Sequence, residues 1–368
     1  MLYQNQSESS PRLLVVIVNY RTAQLTINCL NSLVDRVKSL SGTQVVVVDN
    51  NSGDRSVEQI ENAIQTEGWS DWAAVLPSEH NGGFAFGNNL AIRPLIKSRY
   101  PPDYVLLLNP DTIVRERSLQ VLVEFMAENP TVGIAGSRLE DPDGTPQCSA
   151  FRFHTILSEL DSALRLGIVS KLLSKWIIAP PVAAKPHQTD WVAGASMIVR
   201  RQVLETTGLM DEKYFLYYEE VDFCLQAYRS GWSCWYVPQS RVVHLVGQSS
   251  GVTNTKTVPQ RLPKYWFDSR RRYFLKNHGW FYTILTDLVW LLGFTLWRCR
   301  RFLQRKPDND PPFLIRDFLS NSALITLRDI SQSFFLTFKF SVSPSQPPIF
   351  GGRTNESPPD LGDLGGLK

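Results

Sequence analysis

Three places in the chain carry side chains whose type and spacing could do chemistry. The first is Asn109-Pro110-Asp111, at the end of the apolar run Val105 to Leu108. Pro110 cannot donate to a sheet ladder and pushes Asn109 away from helical geometry, so the chain must turn there. The turn leaves Asp111 just past a strand's carboxyl end. A carboxylate there is either a turn-former or, in an open α/β sheet, a group facing the ligand crevice. The second place is Glu219, Glu220 and Asp222, at the start of a segment in which Val221, Cys224, Leu225 and Tyr228 fall at helical spacing. A helix dipole favours acids in its first turn by about 0.3–1 kcal/mol. That accounts for one or two acids. Three of them beside Tyr214, Phe215, Tyr217 and Tyr218 point to a general base, a role that contributes about 10²–10⁴-fold in rate. Dipole and metal would lower the pKa of such a base, while neighbouring carboxylates and aromatic burial would raise it. The third place is His244, at the end of the apolar run Arg241 to Leu245, which is either a satisfied core residue or a ligand.

The elements that must position these groups follow from the apolar pattern. Leu13 to Val18 is a continuous β-branched run, the signature of a parallel strand buried on both faces, and it ends at Asn19-Tyr20-Arg21. Thr22 to Val37 carries Leu25, Cys29, Leu30 and Leu33 at helical spacing. Gln44 to Val48 repeats the strand signal and ends at Asp49, which completes a right-handed βαβ unit. A weaker strand, Ala73 to Leu76, leads through Asn81-Gly-Gly-Phe-Ala-Phe-Gly-Asn-Asn89 to a helix expected from Leu90 to Lys97. Three strong strands therefore end in polar residues (Asn19, Asp49 and the Asn109/Asp111 pair), as along the carboxyl edge of a nucleotide-binding sheet. A helix from Leu119 to Glu128 and a strand from Val132 to Ala135 follow. Residues 140–190 read least clearly, with a helical stretch from Ile156 to Ile178. Asp190 to Val199 reads as a strand broken at Gly194, where a glycine permits close approach of a ligand. Cys234 to Val237 is a further short strand.

Other classes fit badly. The first turn, Asn19-Tyr-Arg-Thr-Ala, has no glycine, so it is no dinucleotide fingerprint, and there is no glycine-rich Lys-Ser/Thr phosphate loop. Phosphates must then be neutralised otherwise, and Mg²⁺ or Mn²⁺ held by Asp111 is the natural means. A net charge of +3 is too small for nucleic acid as a main partner. Five scattered cysteines, with no Cys-x-x-Cys pair, argue for a reducing compartment. The first eleven residues show no apolar signal core, and the cytoplasm is the expected location.

Together, Val18-Asn-Tyr20, Val48-Asp-Asn-Asn-Ser52, the 81–89 stretch, Leu108-Asn-Pro-Asp111, Trp191-Val-Ala-Gly-Ala195 and Phe215 to Leu225 resemble inverting family-2 glycosyltransferases of the GT-A fold. They are most similar to the bacterial rhamnosyltransferase-like members, over Leu13 to Gly251. The resemblance implies an α/β fold with a mostly parallel central sheet flanked by helices, followed here by a C-terminal helical appendage. It implies a dTDP- or UDP-sugar donor, a glycan or lipid-linked oligosaccharide acceptor, and Mg²⁺ or Mn²⁺ held by Asp111 and His244. Asn19, Tyr20, Asp49, Asn51, Asn81, Gly82, Gly83, Asn89 and Asn109 would bind the nucleotide. Trp191, Gly194, Ala195 and Asp222 would meet sugar or acceptor. Glu220, or its neighbour Glu219, would be the base. Two departures stand out: Glu220 replaces the family's usual aspartate, and Asn109 replaces the first acid of a full Asp-x-Asp. The competing class is a nucleotide-sugar-binding scaffold of the same fold without catalysis.

The expected organisation is a flexible start (1–11), a catalytic domain (12–258), a basic, aromatic, helical extension (259–340) and a disordered tail (341–368). Ser249 to Gly251 is expected to be a loop that closes over phosphates. In the extension, Trp280 to Trp297 is apolar around Asp287 and is followed by Arg298, Arg300, Arg301, Arg305 and Lys306. A charge near its middle argues against a membrane-spanning helix. The segment reads either as a helix packed on the catalytic domain or as one lying against the inner face of the membrane.

Overall fold

The apolar runs become the middle of a sheet whose carboxyl edge carries the polar residues. The structure is a computed structural model and describes residues 13–245 and 259–325. The expectations for 1–11, Ser249 to Gly251 and 341–368 lie outside them. β1 (Leu13–Asn19) is buried along its whole length. It is followed by α1 (Ala23–Ser39), β2 (Thr43–Asp49), α2 (Ser56–Thr66), β3 (Ala73–Pro77), α3 (Gly83–Ile96) and β4 (Tyr104–Leu108). Then come β5 (Thr112–Val114), α4 (Ser118–Glu128), β6 (Val132–Glu140), β7 (Ala150–Phe151), α5 (Ile156–Leu164), α6 (Gly167–Leu172), β8 (His187–Thr189), β9 (Trp191–Val192) and β10 (Ser196–Arg200). The chain continues through α7 (Arg201–Thr207), α8 (Glu219–Arg229), β11 (Ser233–His244), α9 (Lys264–Leu303) and α10 (Leu314–Asn321).

Among the described residues the main sheet runs β3-β2-β1-β4-β10-β6-β11-β5, with β8 also on β11. β3, β2, β1 and β4 are parallel, as is β6 with β11, while β10 enters antiparallel between β4 and β6. Register aligns the site. Asn19 stands opposite Asp49, Ile17 opposite Leu108, and Leu108 opposite Ser196. One core packs on each face of this sheet, and a third cluster joins α5, α9 and α10.

Several local expectations need correction. The helix expected from Leu90 begins at Gly83, because Gly83 has φ +85° and the Asn50 carboxamide caps the turn, accepting from Gly82 N–H and donating to Gly83 O. The glycines of this stretch serve close packing as well as turning: a Cβ on Gly87 would lie 2.8 Å from Val18 Cγ1. The break at Gly194 divides two sheets, with β9 pairing β7 and β10 central in the main sheet. The expected short strand Cys234 to Val237 and the apolar run that begins at Arg241 form one strand, β11, whose register shifts between Val237 and Arg241. The helical stretch at 156–178 is two short helices, broken where Arg165 turns left-handed. Tyr228, placed by periodicity on the apolar face, is 60% exposed.

Candidate active site

A cavity of roughly 570 Å³ opens along the carboxyl edge of the sheet, lined by residues that follow β1, β2 and β4, precede β10 and end β11. Its floor is set by buried polar pairing. Asn19 Nδ2 donates to Asp49 Oδ1 at 2.7 Å, and the Ser52 hydroxyl and N–H donate to the same carboxylate. Asn19 and Asp49 are thus consumed in fixing the two strand ends. They hold Tyr20 and Asn50, which do line the cavity. Asn51, with φ +55°, turns outward and donates to Glu79 O. Asn81, Gly83 and Asn109 line the cavity, whereas Gly82 does not. Asn89 is buried elsewhere, holding the backbone of Met210 and the Glu212 carboxylate.

Asp111 and His244 converge although 133 positions separate them in sequence (244 − 111). β5 pairs with the end of β11, so His244 stands opposite Thr112, and His244 Nε2 lies 3.6 Å from Asp111 Oδ1. Both line the cavity. Burial lowers the imidazole pKa against the opposing pull of Asp111. A neutral imidazole beside a carboxylate is a donor set that suits a divalent cation sharing its remaining positions with phosphate oxygens. Among the described residues no third His, Cys, Asp or Glu joins them. Cys29 packs against Asn109 and Thr112, but burial pushes its thiol up to about 12, so it stays an inert thiol.

Glu219 and Glu220 begin α8 and line the same cavity. They follow Tyr217 and Tyr218, two consecutive residues with φ +70° and +69°. Left-handed tyrosines cost of order 1–3 kcal/mol each and persist only where the surroundings impose them, as around active sites. Desolvation pushes the Glu219 carboxyl well above the usual range, reinforced by the charge of Glu220. Glu220 is raised by burial and partly offset by hydrogen bonds from its own N–H and that of Gly194. Each keeps one buried oxygen, Oε2, with no hydrogen-bond partner among the described residues. A Cβ on Gly194 would meet the Phe84 ring at 3.2 Å, so a side chain here would press on the aromatic wall of the cavity.

Of the residues assigned to sugar or acceptor, Gly194 and Ala195 line the cavity. Trp191 and Asp222 do not. Trp191 stacks on Phe151 and donates to Arg152 O. Asp222 is buried against α9, where Lys276 and Asn277 donate to it at 2.6 and 2.7 Å. Asn50, Phe84, Phe215, Tyr217 and Tyr265 line the cavity and were missed. Asn50 sat within a singled-out motif, but which asparagine faces in depends on the left-handed turn at Asn51. Tyr265 comes from α9, and nothing local in the sequence ties it to the sheet edge.

The family model for Glycosyl transferase family 2 matches residues 14–204. A Mycobacterium tuberculosis N-acetylglucosaminyl-diphospho-decaprenol L-rhamnosyltransferase is 28% identical over 191 residues, covering 48% of this chain and 60% of that relative. The alignment therefore spans less than two thirds of that relative's length. The Shigella flexneri dTDP-rhamnosyl transferase RfbF is 23% identical over 267 residues, covering 72% of this chain and 80% of its own length. Among solved structures, GalNAc-T7 with UDP, GalNAc and Mn²⁺ superposes with TM-score 0.52 at 15% identity, covering 81% of this chain and 57% of that one. A Pyrobaculum calidifontis mannosyltransferase with GDP-Man and Mn²⁺ superposes with TM-score 0.50 at 16% identity, covering 90% of this chain and 85% of that one. At these identities the likeness is one of fold.

Proposed function

The chain belongs to glycosyl transferase family 2, and from that premise we propose that it moves a hexose, or a deoxyhexose such as rhamnose, from a nucleoside-diphosphate donor (dTDP or UDP) to a hydroxyl of a surface-polysaccharide or lipid-linked glycan acceptor, with inversion. The observation that carries this reading is that Asp111 and His244 line one cavity together with Glu219 and Glu220. Asp111 and His244 are the pair that would hold Mg²⁺ or Mn²⁺, which when bound would offset charge on the departing diphosphate. Glu220 takes the proton of the acceptor hydroxyl. That oxygen bonds to the anomeric carbon from the face opposite the leaving group, and the sugar–diphosphate C–O bond breaks with its electron pair on the diphosphate. The Gly194 N–H supports Glu220 as the base by aiming its carboxylate, and the deeper Glu219 keeps a proton. The names of the relatives support rhamnose as the sugar. The five free cysteines support a reducing compartment, the cytoplasm.

The test is Glu220→Gln. Transfer should fall by about 10²–10⁴-fold. Stabilisation by the dTDP- or UDP-sugar with Mn²⁺ should persist, at about 2.7 kcal/mol for a hundredfold excess over Kd. Retained anomeric configuration in the product, read by NMR, would rule out the single displacement. Undiminished transfer by the variant would remove Glu220 from the base role.

A further inference from the structure

Among the described residues, exposed large apolar side chains gather on one helix. Gly279, with φ +79°, kinks α9. Beyond it Phe281, Leu285, Leu288, Leu292 and Leu296 are 89, 50, 48, 60 and 50% exposed. Their spacing of i, i+4, i+7, i+11 and i+15 puts them on one stripe of an α-helix. The opposite face is committed to the protein. Thr286, Trp290 and Phe294 are buried there, and Asp287 is fixed by Arg270 Nη1 at 2.6 Å and Ala323 N–H at 2.9 Å. Phe302 and Leu303, 82 and 80% exposed, lie at the end of the same helix. Scattered exposed leucines need no account, but a continuous stripe does.

Charge selects the occupant. From Arg298 to Asp310, five basic residues (Arg298, Arg300, Arg301, Arg305, Lys306) stand against two carboxylates (Asp308, Asp310), an excess of three cations. Arg305 and Lys306 are exposed. Nearby α6 follows Arg165, whose carbonyl accepts from Arg300 Nη2, and it presents exposed Ile168 and Leu172 beside exposed Lys171. Apolar residues along one face with cations in excess at its end are the composition of an interfacial helix, and anionic headgroups complement it. A spanning helix would have to strip Asp287 and Arg270 from their protein partners inside hydrocarbon.

We propose that α9 seats the chain on an anionic bilayer, lying in the membrane plane with this stripe at the headgroup–acyl boundary. The seating stands on the surface itself. That it serves a lipid-linked acceptor rests on the transferase reading. Purified full-length chain is sedimented with phosphatidylcholine vesicles, with and without phosphatidylglycerol. It should co-sediment with the anionic vesicles at low salt and be released by high salt or carbonate. Leu288→Glu with Leu292→Glu should weaken binding by at least about tenfold, and Arg305→Glu with Lys306→Glu should weaken it on anionic vesicles alone. Failure to bind anionic vesicles at low salt would overturn the proposal. Carbonate-resistant insertion would also overturn it, as would a wild-type dimer that the leucine variant converts to monomer. A cooperative melt verifies that the variants fold, and a thermal shift is read with dTDP or UDP and Mn²⁺. Absence of that shift from wild type and variants alike would count against the transferase reading and leave the vesicle result standing.

Discussion

Two adjacent carboxylates in one desolvated cavity cannot both ionise freely. Glu219 is the deeper, 3% exposed, and its carboxyl is raised well above the ordinary range by burial and by Glu220. A Glu219 that is already neutral is closely mimicked by glutamine. Glu219→Gln should therefore retain most of the transfer that Glu220→Gln loses, and the reverse ranking in kcat would exchange their roles. The pH profile has a definite sign. The base works only when ionised and its pKa is raised in the free protein, so kcat/KM should fall as pH drops through a value above the ordinary glutamate's, about 4.3. An acid limb at or below that value would mean the base is not the desolvated carboxylate. Backbone constraint is testable at the same scale. Gly83 has φ +85°, and a Cβ there would lie 1.8 Å from Phe215 O. Gly83→Ala must move the segment that leads into α8, and should cost at least about 2 kcal/mol, read as a lower Tm.

At the scale of elements, the parallel strands were legible because burial on both faces leaves an unbroken apolar run, as in β1 and β2. Asp111 and the Glu219–Glu220 pair were legible because turn chemistry and a helix start each mark a carboxylate. The start of α3 was hidden, because Gly83 and Gly87 read as loop residues until β1 and Phe215 O are seen pressing on them. What ties α9 to the catalytic half was hidden as well, because ion pairs between distant segments leave no periodic signal. Arg270 donates to Glu159 at 2.8 Å and to Asp287 at 2.6 Å, all three fully enclosed, and His154 Nδ1 lies 3.2 Å from Glu159. Arg270 and His154 overcome desolvation and hold the Glu159 carboxyl down at about 2. A depressed carboxylate contributes stability that is present above its unfolded pKa and lost as pH falls through the folded one. This clamp should therefore weaken as pH drops from about 4.3 toward 2, and Glu159→Gln should flatten that part of the Tm–pH curve. At neutral pH the same variant leaves Arg270 half-paired and should cost on the order of 3–5 kcal/mol. A neutral-pH Tm within a degree of wild type would show that α9 does not depend on the clamp.

At the scale of the whole molecule, the apolar runs marked the parallel strands and the family resemblance implied the GT-A fold, while neither placed α9. Basic, aromatic composition marked 259–340 as an extension, yet α9 reaches the catalytic half at successive turns. Tyr265 lines the cavity and packs on Phe215 with ring centroids 5.3 Å apart. The Ser269 hydroxyl donates to Leu216 O at 3.0 Å, Arg272 pairs with Asp211 at 2.5 Å, and Lys276 pairs with Asp222 at 2.6 Å. Those partners flank or belong to the strained segment that aims Glu219 and Glu220. Removing the helix would leave Asp222 without Lys276 and Glu159 without Arg270, and would open an aromatic wall of the site to water. A chain ended after residue 258 should consequently lose its cooperative unfolding transition instead of behaving as a self-sufficient catalytic domain. Tyr265→Ala in the full chain isolates the local contribution, since Tyr265 is absent from the residues that would hold nucleotide or cation. It should keep the Mn²⁺-dependent nucleotide shift and raise KM for the acceptor more than KM for the donor. A truncated chain that melts cooperatively and still transfers sugar would show that α9 is dispensable to the site it borders.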